Sequence, residues 1–393
     1  MKRTLILAST ALALVAGPAL AGSGSNLQAE LDALRAQVDA LSKKVEAGSA
    51  DKKKFVQSGG TGIELKLSGQ VNRGVLLTDD GDDKETFFVD NDNSSTRFRF
   101  TGSGNINEDV KTGIVVEVQF ESNSTASVNQ NSKSAGPNNF TERKLEWYID
   151  SKTFGRLTVG QGDMASNGTS EVDLSGTGVI AYSAVGDTAG GILFFDDGLA
   201  NALSTTTVNG RFNNLDGLSR QDRVRYDTPS LAGFSASGSW GDNGRWDAAL
   251  RYAGEFGAFR AEGAVAYSNN QNDDDLINGS VSVLHKDTGL SLTFAAGEEQ
   301  DANERSFYYI KGGWQTKALT PLGKTAFAID YFEGESDVQG WESMSYGAAI
   351  VQNIDRVGTE LYIGGRVYES DENAVGVNFD DIYAVLVGAR VKF

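Results

Sequence analysis

The chain has no cysteine, one histidine and four prolines in 393 residues. Without cysteine there is neither a disulfide framework nor a thiolate metal site. The lone histidine, His285, precedes a turn-forming run, Lys286-Asp287-Thr288-Gly289. A Ser-His-Asp triad or a zinc site therefore lacks the residues it needs, and no catalytic residue or cofactor is expected. Beyond the N-terminus no apolar run approaches the about 20 residues that a membrane-spanning helix requires. Basic residues are outnumbered, 35 against 53 acidic, for a net charge of −18. So acidic a chain repels nucleic acid, which is excluded as a partner.

What is present begins with a leader. Met1-Lys2-Arg3 is basic, residues 5–15 are apolar, and Ala19-Leu20-Ala21 is a small-residue cleavage site. Residues 1–21 read as a secretory signal peptide, too short in its apolar part to anchor. Three acidic clusters follow further on, at residues 79–83, 90–92 and 273–275. They resemble calcium loops only loosely, because none has the Asp-x-Asp-x-Asp-Gly spacing that wraps an ion. Solvated loop charge is the preferred reading, with loop-bound Ca2+ as the alternative.

The C-terminal residues carry the strongest pattern. Tyr383, Val385, Val387, Ala389, Val391 and Phe393 occupy every second position, against Leu386, Gly388, Arg390 and Lys392. A chain ending in mid-strand needs a partner for its edge, and pairing with the first strand of its own sheet closes a barrel. Apolar side chains facing out and charge facing in is the pattern of a barrel in lipid. The rich supply of glycine (47), phenylalanine (20) and tyrosine (12) suits curved strands with aromatic ends. These features point to a pore rather than an enzyme.

The same rhythm runs through the chain from residue 63. Phe98 and Phe100 alternate with Arg97 and Arg99; Ile114, Val116 and Val118 with Glu117 and Gln119; Leu145, Trp147 and Ile149 with Lys144 and Glu146. Short turns at residues 228–230, 254–256, 287–288, 320–321 and 355 join strands of about ten residues, and longer polar segments lie between those pairs. Five strands precede Gly162, and the strand at residues 222–227 must run back, so residues 162–220 form one long loop. Ten further strands bring the total to about sixteen. The alternative, eighteen, would place two more strands within residues 182–195.

Ahead of the strands, Leu27, Leu31, Leu34, Val38, Leu41 and Val45 are spaced 4, 3, 4, 3 and 4 residues apart, a heptad seam. Residues 22–58 read as a short coiled-coil helix and hinge. About three heptads are marginal alone and need chains already held together. An amphipathic helix lying on its own barrel or on a membrane surface is the other reading.

On these residues the chain resembles the Gram-negative trimeric porins. The resemblance covers roughly residues 63–393. It rests on the strand ending in Phe393, on the run from Phe154 to Gln161 before the long loop, and on the run from Val224 to Phe234. The heptads resemble the periplasmic coiled coil of some substrate-selective trimeric porins. The resemblance implies an all-β transmembrane antiparallel barrel over residues 59–393, with its third loop, residues 162–220, folded inward as a constriction. It implies loop carboxylates, here Asp163, Glu171, Asp173 and Asp187, facing wall cations, here Arg97, Arg99, Lys144, Arg223 and Arg225. It further implies a homotrimer in outer-membrane lipid and lipopolysaccharide, inserted by the barrel-assembly machinery through Phe393, with a periplasmic helix and peptidoglycan as its candidate partner. The expected function is passive diffusion of ions and small hydrophilic solutes; a channel for small anionic carboxylates and an envelope-anchoring barrel or adhesin are the alternatives. A barrel enzyme is disfavoured because His285 borders a short turn at the wrong end.

Overall fold

The computed structural model describes residues 56–57, 62–134, 140–198, 200–270, 275–300, 303–373 and 376–393. The signal peptide and the heptad seam from Leu27 to Val45 lie outside the described residues. Sixteen antiparallel strands form the wall: β1 (Glu64–Asp79), β2 in two pieces (Lys84–Asp90 and Arg97–Asn105), β3 (Val110–Phe120), β4 (Phe140–Ser151), β5 (Gly155–Asp163), β6 (Arg220–Asp227), β7 (Phe234–Gly241) and β8 (Trp246–Phe256). They continue as β9 (Phe259–Asn269), β10 (Leu276–His285), β11 (Leu290–Glu299), β12 (Arg305–Thr316), β13 (Thr325–Ser336), β14 (Trp341–Ile354), β15 (Thr359–Glu372) and β16 (Ile382–Lys392).

Each strand pairs with its neighbours in sequence, and β16 closes on β1 in a register from Gln70↔Lys392 to Asp79↔Tyr383. Phe393 completes the seam: its backbone N–H and C=O exchange 3.0 Å hydrogen bonds with Gly69. Closure removes both edges, so every wall strand has two partners. Outward residues are apolar along the barrel, as at Val281, Phe294, Ile310, Ile329 and Ile350, all exposed.

The second strand departs from the sequence reading, which saw its alternation only in Arg97, Phe98, Arg99 and Phe100. Its first piece pairs with residues 73–79 of β1 and its second with residues 64–70. Between them the chain turns inward through a short 3-10 turn, Asp92–Ser94, capped by the Asn91 side chain accepting from the Asn93 N–H. The segment after β3 fills the gap: Asp90 N–H donates to Asn123 O, and Thr125 N–H donates to Asp90 O.

Between β5 and β6 the long loop enters the lumen. Its hairpin, Leu193–Asp196 with Ala202–Thr207, is a separate two-stranded sheet and not part of the wall, so the barrel has sixteen strands and not eighteen. The loop covers the apolar part of the interior. Ile180, Ile192, Phe194 and Phe212 pack with inward wall residues such as Phe307, Phe332, Tyr368 and Leu386. These apolar wall positions are thus buried under protein, and the aqueous passage is left to the opposite, polar half. The loop backbone is also racked on β10, where Val172 and Leu174 N–H groups donate to Ser280 and Ser282 Oγ, both at 3.0 Å.

Candidate pore constriction

Alternation on the lower piece of β2 turns Phe98 and Phe100 to the membrane face, their rings 5.9 Å apart edge to face, and turns Arg97 and Arg99 inward. Glu117 of β3 lies directly across from Arg99 and is almost fully buried, 1% exposed. It accepts from Arg99 Nε at 2.5 Å and from Arg143 Nε at 2.8 Å, with Arg97 Nη1 at 3.8 Å. One carboxylate therefore holds three guanidinium groups in a fixed row, a charge-assisted arrangement.

Arg143 reaches this row through a β-bulge. The register steps from Glu117↔Lys144 to Val118↔Glu142, leaving Arg143 as the extra residue on β4. A bulge re-aims a side chain and breaks strict alternation, so Arg143 and Lys144 both serve the lumen. Lys144 pairs with Asp163 at the end of β5, and Arg220 Nε lies 3.3 Å from Asp163 Oδ1. The wall thus carries five cations held in register by two carboxylates.

All five cations and both carboxylates line one polar cavity of about 730 Å³. The loop lines it with Glu171, Tyr182, Asp187 and Asp216, and the turn in β2 adds Asp92. Glu171 accepts from Asn214 Nδ2 at 3.2 Å, and Asp187 accepts from the Tyr182 hydroxyl. Asp216 accepts from the Gly168 and Ser170 N–H groups at 2.6 and 2.9 Å. Removal from bulk water raises all three loop carboxylates: Glu171 to about 8, with Asp216 beside it; Asp216 to about 7; and Asp187 well above its usual range, with Asp92 nearby.

Of the residues singled out in the sequence, Arg97, Arg99, Lys144, Asp163, Glu171 and Asp187 line this cavity. Asp163 belongs to the wall rather than the loop, since it ends β5 among the cations. Arg223, Arg225 and Asp173 lie elsewhere. Arg223, 3% exposed, pairs with Glu146 at 2.6 Å and donates to the Gly160 and Asp163 carbonyls. Arg225 pairs with Asp227 and donates to the Met164 carbonyl at 2.8 Å. Both brace the root of the loop. Asp173 turns toward β12, where Lys311 meets it at 3.0 Å. The cavity also has members that sequence reasoning did not select: Arg143, Arg220, Glu117, Asp216 and Asp92. For Arg143 a signal was present, because Glu142-Arg143-Lys144 is three polar residues in succession and interrupts the two-residue rhythm.

His285 sits at its turn, half-buried, with Nδ1 2.8 Å from Thr288 Oγ1. Among the described residues no group of three or more acidic, histidine or cysteine side chains could hold a metal ion.

A closed sixteen-stranded barrel, greased outside and narrowed inside by a charged loop, defines the class: a channel-forming protein of the outer membrane. Residues 8–373 match the Gram-negative porin family. The chain belongs to that family, and it forms a water-filled channel for ions and small hydrophilic solutes; it is not an enzyme. Comparison with curated protein sequences finds no significant match. Among solved structures it is similar to the anion-selective porin from Comamonas acidovorans, at 15% identity and a TM-score of 0.59, covering 84% of this chain and 100% of that one. It is also similar to OmpT of Vibrio cholerae, at 12% identity and a TM-score of 0.55, covering 86% and 100%. Salmonella typhi OmpF, in complex with daunomycin, matches at 14% identity and a TM-score of 0.53, covering 84% and 98%. At these identities the likeness is one of fold.

Proposed function

We propose that the channel prefers small anionic solutes, selected between the basic wall (Arg97, Arg99, Arg143, Lys144, Arg220) and the loop carboxylates Glu171, Asp187 and Asp216. The observation that carries this reading is that Glu117 and Asp163 are already engaged by those five cations, which outnumber the three wall carboxylates of the cavity, Glu117, Asp163 and Glu142. The row keeps a positive excess toward the passage, while the facing carboxylates are driven toward their neutral forms. Opposed rows across a narrow aqueous slot also create a transverse field that orients dipolar solutes and disfavours apolar ones. A solved structure of similar fold is described as an anion-selective porin, which agrees with this reading. Liposome swelling tests it: dicarboxylates should enter faster than neutral sugars of equal size, and equal rates would count against it. The rival reading is mild cation preference, favoured by the net charge of −18.

The working unit in this proposal is a homotrimer, with residues 22–58 as a periplasmic coiled coil and hinge and residues 59–393 as the barrel. Support comes from Arg73, midway along β1 on the outward face between Val71 and Val75. Its side chain is 40% exposed, with the Ser122 carbonyl at 2.5 Å and Asp90 at 3.9 Å. An arginine facing lipid at the midplane would cost about 2–4 kcal/mol, so this arc of wall is better covered by another copy. Phe393 serves as the assembly signal of the last strand; lipopolysaccharide surrounds the barrel, and the helix offers the surface for peptidoglycan.

A further inference from the structure

Lys311 lies on β12, faces inward and is fully buried, yet it does not line the passage. Its ammonium is 3.0 Å from Asp173 Oδ2 and donates to the Ala181 carbonyl at 2.5 Å. Both acceptors belong to the constriction loop. Asp173 also accepts from the Ser175 N–H at 3.0 Å and the Ser175 hydroxyl at 2.8 Å. The Ile180 and Ala181 N–H groups donate back to the Thr177 carbonyl. Residues 173–181 therefore close as a turn around one lysine. A buried ammonium is tolerated only with such partners, and removing one side leaves the other uncompensated.

The wall is shaped to receive this turn. At Gly313, two residues beyond Lys311, a Cβ would come within 2.6 Å of Ser175 Cβ. At Gly364 on β15 a Cβ would come within 2.6 Å of Ile180 Cγ1. The next residue out of the turn is Tyr182, which lines the passage and donates to Asp187. The clasp thus fixes the segment from which two passage-lining groups project.

We infer that Lys311 is the positioning residue of the constriction: it sets the width and charge of the passage from a site no solute touches. This rests on the channel reading above. Bilayer recordings on Lys311→Met, Lys311→Arg and Gly313→Val test it, with folding checked by heat-modifiable gel mobility. Lys311→Met should fold, show open-channel current noise several-fold above the parent, and move the reversal potential toward zero. Lys311→Arg should recover most of the parent behaviour. Gly313→Val, which pushes the same turn off the wall with the ammonium intact, should lower single-channel conductance. A folded Lys311→Met with parental noise and reversal potential would overturn the inference. If Lys311→Met does not fold, Gly313→Val decides, and parental conductance there overturns it. A parent protein that inserts without conducting would defeat the channel reading itself, which is a separate failure.

Discussion

Arg143 meets Glu117 at 2.8 Å from the one position on β4 that belongs to neither face by simple alternation. The bulge that places it there converts two adjacent cations into lumen residues. Removing Arg143 should therefore weaken selectivity without opening the wall. For charges at this range in a partly screened slot, Arg143→Ala should reduce the anion-to-cation permeability ratio by roughly twofold to fivefold. Reversal potentials at two salt concentrations check this, and the difference from the parent should shrink at the higher one.

Glu117 is the counterpart. Glu117→Gln leaves Arg97, Arg99 and Arg143 without their shared carboxylate, so anion preference should rise while the barrel loses about 1–3 kcal/mol of stability. The urea midpoint of the folded barrel and the permeability ratio should move in those opposite senses.

Selectivity should depend on pH through the loop. Glu171, raised to about 8, faces Asp216, Asp163, Arg220 and Asn214; Asp216, raised to about 7, faces Arg251 and backbone N–H groups. Below these values both carboxyls are neutral, and above them both are charged. Raising the pH from about 6 to about 9 therefore adds negative charge to the passage, and anion preference should fall across that window. Glu171→Gln combined with Asp216→Asn should flatten the profile.

At the barrel seam, the Phe393 ring leaves no room for a side chain on Gly69, where a Cβ would lie 2.6 Å from Phe393 Cζ. Gly69→Val should part β1 from β16 and lower the yield of folded barrel, read as loss of the heat-modifiable band. Ala389→Val, on the outward face of β16, should leave that yield unchanged.

On the outer wall, Arg73→Glu places like charge beside Asp90 and should make the assembled oligomer dissociate at lower temperature in gels while single barrels stay folded. An unchanged dissociation temperature would argue that lipid, not another copy, covers this arc.

The strands were legible where one face meets lipid and the other water, as from Val110 to Phe120 or over residues 388–392 at the end of β16. They were obscured where both faces are apolar. Phe87 and Val89 are buried under the loop while Phe88 faces outward, so residues 84–90 show no alternation. The loop's position could be read from strand direction, but which of its carboxylates meet the passage could not. Asp173 and Asp187 look equivalent in sequence, but the buried Lys311, with the Thr293 hydroxyl beside it, draws Asp173 to the wall. Arg220 escaped notice because the sequence reading carried the loop through residue 220, whereas β6 already begins there.

The most direct test is the reversal potential of the purified protein in a planar bilayer under a KCl gradient at neutral pH. The sign should report chloride moving in preference to potassium, and it should weaken in Arg99→Ala. A potassium-selective sign that Arg99→Ala leaves unchanged would contradict the basic wall as the selecting element.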